Sequence, residues 1–191
     1  MTALQATTTE QATPVQRQAM DSETVTSARL EQLRRDFGHL EGAELLDAMV
    51  HKAFPDKIAM VSSFGSEAVV LLHLLSEVNP TVPVLFLNTG KLFGETLRYR
   101  DRLQDKLGLT DVRSLGPDPR VEAISDPAGD LWARDADGCC HFRKVLPLAH
   151  GLKNFEASIT GRKQFQTGAR AGMPTIEQEA NADGTPGRFK I

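Results

Sequence analysis

The sequence has little cysteine: two residues in 191, side by side at Cys139 and Cys140. Adjacent thiols cannot staple a fold, so a disulfide framework is excluded and a reducing compartment, the cytoplasm, is expected. It lacks a long apolar run. The longest, Ala68 to Leu75, is broken by His73 and is far too short to span a bilayer, so no membrane role is expected. It also lacks basic excess, and a net charge of -3 argues against a general nucleic-acid binder. Residues 1–21 are rich in Thr, Gln and Ala, with neither an apolar h-region nor an Arg-rich amphipathic pattern. They read as a disordered tail and not a targeting signal. There is no internal repeat, and His39, His51, His73, His141 and His150 suggest no catalytic triad.

What is present is ordinary for one sizeable globular domain, residues 22–191, with 40% hydrophobic and 25% charged residues. Ser27 can cap a helix to about Phe37, ended by Gly38, and Gly42 to Phe54 repeats the amphipathic pattern before Pro55. Apolar runs at Lys57–Val61, Val82–Leu87, Asp111–Leu115 and Ala157–Thr160 predict strands. Helical patterns separate the first three, at Ala68–Val78 and Glu95–Leu107. Strand and helix in alternation with short connections predict βαβ units and a mainly parallel sheet, with ligands bound beyond the carboxyl ends of the strands. Residues Arg120 to Asp137 read as an acidic surface connection anchored by Trp132. The cysteine stretch predicts a helix broken or kinked near Pro147, and the chain after Gln166 is Gly-, Pro- and Ala-rich.

Three stretches carry chemistry. Ser62-Ser63-Phe64-Gly65-Ser66 joins a strand to a helix, where N–H donors and the helix dipole suit an anion. It is neither a Walker loop nor a G-x-G-x-x-G fingerprint. Cys139 and Cys140 are followed within one turn by Arg143 and Lys144, a thiolate pair beside cations that suits a metal or iron–sulfur centre next to an anionic ligand. The competing reading is two buried apolar side chains. Zinc is disfavoured, because Cys139, Cys140 and His141 are consecutive and rarely reach one tetrahedral ion. From Cys139 to Arg170 there are six cations against the single acid Glu156, a local net charge of +5. Gly161-Arg162-Lys163 and Gly168-Ala169-Arg170 stand at or past a strand end, where guanidinium groups suit phosphate or sulfate oxygens.

Four motifs occur in order: Ser62-Ser63-Phe64-Gly65-Ser66-Glu67, Leu87-Asn88-Thr89-Gly90, Cys139-Cys140-x-x-Arg143-Lys144-x-x-Pro147-Leu148, and Thr160-Gly161-Arg162 leading to Gly168-Ala169-Arg170. Over about residues 40–191 the set resembles the assimilatory sulfonucleotide reductases, in particular those acting on adenylyl sulfate (APS). The resemblance implies a three-layer α/β fold with a mainly parallel sheet, like the adenine nucleotide alpha hydrolases and related to PP-loop proteins. It implies reduction of APS to sulfite and AMP, with thioredoxin or a similar dithiol as donor. It implies that Ser62, Ser63, Phe64 and Gly65 hold the phosphosulfate, that Leu87 and Gly161 meet the adenine through backbone, and that Lys144, Arg162 and Arg170 supply positive charge. Cys139 and Cys140 would ligate a [4Fe-4S] cluster, and the pair distinguishes the APS enzymes from those using phosphoadenylyl sulfate (PAPS).

Two departures bear on this. Asn88 stands where the family usually has Asp. The family's further Cys-x-x-Cys pair and its late nucleophilic cysteine have no counterpart, so this chain offers two of four cluster ligands, no attacking thiol and an incomplete domain. A catalytically dead adenine-nucleotide module and a PAPS reductase are the alternatives. A PP-loop pyrophosphatase fits less well, because Ser62 to Glu67 lacks the second glycine and the aspartate of its loop. A homo-oligomer is left open.

Overall fold

Apolar runs too short for a helix and bounded by turn residues become strands. The computed structural model describes residues 28–162, 172–181 and 185–191. In it, β1 is Ile58–Val61, β2 Val84–Leu87, β3 Val112–Leu115 and β4 Ala157–Thr160. Alternate side chains of β1 and β2 enter opposite layers: Ile58, Met60, Val84 and Phe86 join the main core, and Ala59 and Leu85 a smaller one. Burial on both sides is what a parallel sheet covered by helices requires.

The helices are α1 (28–37), α2 (Gly42–Ala48), α3 (Val69–Val78) and α4 (Gly94–Leu107), then the short α5 (Pro119–Ser125), α6 (Leu131–Arg134), α7 (Ala136–Cys140) and α8 (Leu146–Gly151). Leu33, Leu45, Leu72 and Leu75 with Leu103 of these first four helices fill the main core together with Met49, in a π turn (Met49–Ala53) that follows α2, and with Phe54, Phe86 and Ile159. Leu152 lies just after α8 and, with Leu148 and Phe155, covers the opposite face. Gly151 allows that approach, since a Cβ there would lie 2.4 Å from Leu115 Cδ1.

The last two strands, β5 (Glu177–Ala180) and β6 (Pro186–Lys190), complete a six-stranded sheet in the order β3-β2-β1-β4-β6-β5. All neighbours are parallel except the antiparallel β5–β6 pair. The direction of winding reverses at β1. The chain passes outward to β2 and β3 on one side, then returns to place β4 on the other. Such a reversal opens a crevice between the loops leaving β1 and β4.

The predicted three-layer α/β architecture is therefore observed, with corrections of detail. The chain after Gln166, read from the sequence only as Gly-, Pro- and Ala-rich, contributes a strand pair. Its residues are polar because β5 is an edge strand and only Phe189 of β6 is buried. Trp132 does not anchor the acidic connection, for it is 62% exposed. The connection is held instead by buried Asp126, described below. At Pro147 the helix is not broken. A π turn, His141–Val145, joins α7 to α8 and widens the turn where the proline ring would otherwise meet the carbonyl of Arg143. Among the described residues no helix is long and apolar enough to cross a membrane. The expected tail, the Ser27 cap, Lys163 and the Gly168-Ala169-Arg170 motif lie outside the described residues.

Candidate functional site

The loop after β1 turns on its own hydroxyls. The N–H of Phe64 donates to Ser62 Oγ at 3.1 Å and that of Gly65 to Ser63 Oγ at 3.3 Å. Ser62 is buried and Ser63 exposed, so Ser63 is the hydroxyl presented at the surface. Phe64 has φ +54°, a strained value for a bulky side chain, and its ring stacks edge-on against Phe86 at 5.7 Å between centroids. That ring belongs to the core, so any contact from position 64 to a ligand runs through backbone. After Gly65 a single 3-10 turn, Ser66–Ala68, leads into α3. Its backbone donors thus face the carboxyl end of the sheet.

Register sets the other loops beside this one. Val61 pairs with Thr160 and with Leu85, which places Ser62, Gly161 and the end of β2 on one rim. Gly161 is exposed, while Leu87 is half-buried at the end of β2. Arg162 is not an unpaired cation. Its Nε donates to Thr160 Oγ1 at 3.0 Å and its Nη2 pairs with Glu177 Oε1 at 2.6 Å. Arg170 falls outside the described residues. The structure thus gathers Ser62, Ser63, Gly65, Leu87, Gly161 and Arg162 on one edge.

The cysteines lie on α7, whose start is capped by Asp135 accepting the N–H of Gly138 at 2.9 Å. Cys139 is buried and Cys140 exposed, both as free thiols. Neither is turned away from the surface entirely. Both line a cavity of about 630 Å³ with Thr89, Lys91, Phe93, Trp132, Ala136, Arg143 and Lys144. Lys144 Nζ stands 3.6 Å from Cys140 Sγ, one turn along the helix. This cavity joins the cysteine pair to the loop after β2, because Thr89 and Lys91 belong to that loop. Among the described residues no three His, Cys, Asp or Glu side chains converge as metal ligands. The donor set fits part of an iron–sulfur centre: two soft thiols open to one cavity with an ammonium beside them.

Sequence reasoning named Arg143 only as a cation beside the thiols and missed that it is buried and holds this wall. Arg143 is 1% exposed. Its Nη1 donates to the Thr89 carbonyl at 2.8 Å, and its Nη2 meets Asp126 Oδ2 at 2.6 Å and Glu122 Oε1 at 2.7 Å. Burial alone would lower its pKa, but the two carboxylates outweigh that and raise it. Asp126 is held below the usual carboxylate range, chiefly by the Arg143 hydrogen bond, with burial opposing and the Leu131 N–H assisting. The signal available was an arginine next to Phe142 within an apolar helical stretch, with a surplus of acids upstream.

Comparison with known proteins follows the same lines. Residues 57–185 match the phosphoadenosine phosphosulfate reductase domain. A protein of Mesorhizobium japonicum named adenosine 5'-phosphosulfate reductase is 46% identical over 141 residues, 74% of this chain and 56% of its own length. One of the same name from Chelativorans sp. (strain BNC1) is 42% identical over 154 residues, 78% of this chain and 62% of its own. The chain thus spans less than two-thirds of the length of these relatives. The crystal structure of a phosphoadenylyl-sulfate reductase from Candida auris, a phosphate complex, superposes with a TM-score of 0.66 at 23% identity, covering 85% of this chain and 76% of that one. At that identity the likeness speaks for the fold.

Proposed function

The chain belongs to the phosphoadenosine phosphosulfate reductase domain family, and from that premise we propose that it forms the nucleotide platform of a thiol-dependent reductase of adenylyl sulfate. The observation that carries this reading is the shared cavity, in which both cysteines and Lys144 meet the loop that ends β2. The rim of β1 and β4 would receive the adenosine moiety through backbone at Leu87 and Gly161. Ser62, Ser63 and Gly65 would hold the phosphosulfate with hydroxyl and N–H donors, joined by Arg170. Arg162, already paired with Glu177 and Thr160, would add charge at the rim of the site. The resemblance of two curated relatives to this chain supports APS over PAPS, as does the cysteine pair.

The reaction proposed for the whole protein is attack by a cysteine thiolate on the sulfur of APS. A sulfur–sulfur bond forms and the sulfur–oxygen bond to phosphate breaks, with the electron pair leaving on AMP. A dithiol such as thioredoxin then attacks the cysteine sulfur, releases sulfite and closes to its own disulfide. Cys139 and Cys140 would hold two corners of a [4Fe-4S] cluster, which when bound supplies a compact polarising charge next to the substrate. Lys144, whose Nζ stands 3.6 Å from Cys140 Sγ, would lie between that charge and the phosphosulfate. The attacking thiol is a further cysteine, since both cysteines here are assigned as ligands, and the 191 residues are expected to bind without turning over. In this reading the domain covers residues 22–191, in the cytoplasm.

The test is an anaerobic preparation of this chain, titrated with APS and assayed for sulfite with thioredoxin. Saturable binding without sulfite is expected. Binding of AMP with no discrimination for the sulfonate would favour a catalytically dead nucleotide module, and sulfite release would contradict the assignment of the thiols.

A further inference from the structure

Two neighbours in the cysteine helix carry charge and differ in everything else. Lys144 is exposed beside Cys140, whereas Arg143 is buried and spends its Nη atoms on two other parts of the chain. One is the loop after β2, through the Thr89 carbonyl. Gly90 sits at this contact with a φ of +71°, a backbone that favours glycine, and a Cβ there would just touch Arg143 Nη1 at 3.4 Å. The other is the acidic connection. Asp126 is fixed there from both sides, Oδ2 on Arg143 and Oδ1 on the Leu131 N–H at 2.9 Å. Glu122 adds the second carboxylate from α5. The remaining donor, Nε, is buried with no acceptor among the described residues.

Buried ion clusters contribute little net stability compared with apolar packing, and an orphaned donor makes this one less favourable still. What the cluster does supply is geometry. A guanidinium held at three points can occupy one position only, and it lies one helical turn beyond both Cys139 and Cys140. We propose that Arg143 is a positioning residue. Clamped by Asp126 and Glu122, it fixes the turn bearing the two thiols against the Thr89 loop, so that both face the same cavity. The acidic connection is then a counter-ion scaffold for the thiol site and not a surface tether. The clamp follows from the geometry alone, whereas its consequence for a cluster or a sulfonucleotide rests on the proposed function.

Site-resolved alkylation with iodoacetamide tests it on this chain, with mass spectrometry separating the two thiols. In the unaltered chain Cys140 is expected to react at least about tenfold faster than Cys139. Asp126→Asn keeps the shape and removes the charge, and is expected to raise the Cys139 rate about tenfold. Leu103→Ala in α4, with thermal stability measured alongside, serves as a control for general loosening and is expected to leave Cys139 protected. An unchanged Cys139 rate in Asp126→Asn, or an equal rise in Leu103→Ala, overturns the proposal. Should Asp126→Asn not fold, Glu122→Gln removes one of the two negative charges on Arg143, at the half-buried rim. A rise of about threefold supports the clamp and no rise overturns it. None of these readouts needs nucleotide or iron. Predicted labelling without APS binding would therefore reject the functional reading alone, and APS binding with unaltered labelling would reject the clamp alone.

Discussion

At the scale of single residues, the chain's sharpest feature is an ion pair, Arg143 with Asp126, in a place where water does not reach, joined at its rim by half-buried Glu122. Removing the Arg143 guanidinium leaves a buried carboxylate without its partner, so Arg143→Met is expected to lower unfolding free energy by about 3 kcal/mol, read by urea denaturation. The cluster also predicts a pH dependence. The Asp126 carboxyl has its folded pKa depressed, mainly by the Arg143 hydrogen bond. The unfolded chain therefore binds the proton first as pH falls below its ordinary value of about 3.9. The contribution is fully present above about pH 5 and is lost as pH falls through the folded pKa. The stability difference between the unaltered chain and Asp126→Asn should shrink from pH 6 towards pH 3, and a constant difference would show that the pair carries no linkage. That Arg143 and Lys144 are cations was plain in the sequence. That one is buried was not, because its partner Asp126 is 17 residues away and only the packing of α5 to α7 brings them together.

At the scale of elements, legibility followed periodicity. Strands β1 to β4 and helices α3 and α4 stood out because their apolar residues repeat with the spacing of the structure they form. The β5–β6 pair did not, since an edge strand made of polar residues leaves no two-residue apolar alternation to read. The π turn His141–Val145 was also hidden, because a wider turn changes the spacing by one residue and resembles noise in a 3.6-residue pattern. The junctions are sensitive where backbones come close. Gly90→Ala must hold a positive φ and touch Arg143 Nη1, which is expected to destabilise by about 1–2 kcal/mol. Gly151→Ala would push a methyl group into Leu115, with an expected loss of about 1–3 kcal/mol by overpacking. Thermal melts of both variants check these values, and neutral melts would show that the helix ends are free to shift.

At the scale of the molecule, strand order decides where chemistry can occur. Winding outward from β1 in both directions leaves the Ser62–Gly65 loop beside Gly161, and the cysteine helix comes back over the loop after β2. The sequence motifs named the pieces of this site, but their order along the chain could not say which of them share a cavity. The two thiols do so with Lys144 and Thr89, while Arg162 is drawn off by Glu177. The central claim is that this edge of the sheet receives an adenosine-linked sulfate with Lys144 close to its charge. Isothermal titration of the anaerobic chain with APS, repeated on Lys144→Ala, tests it most directly. The account predicts saturable one-to-one binding that weakens in the variant by about 1.5–3 kcal/mol, the contribution of a charged hydrogen bond. Equal affinity in the two proteins, or no binding by either, would contradict it.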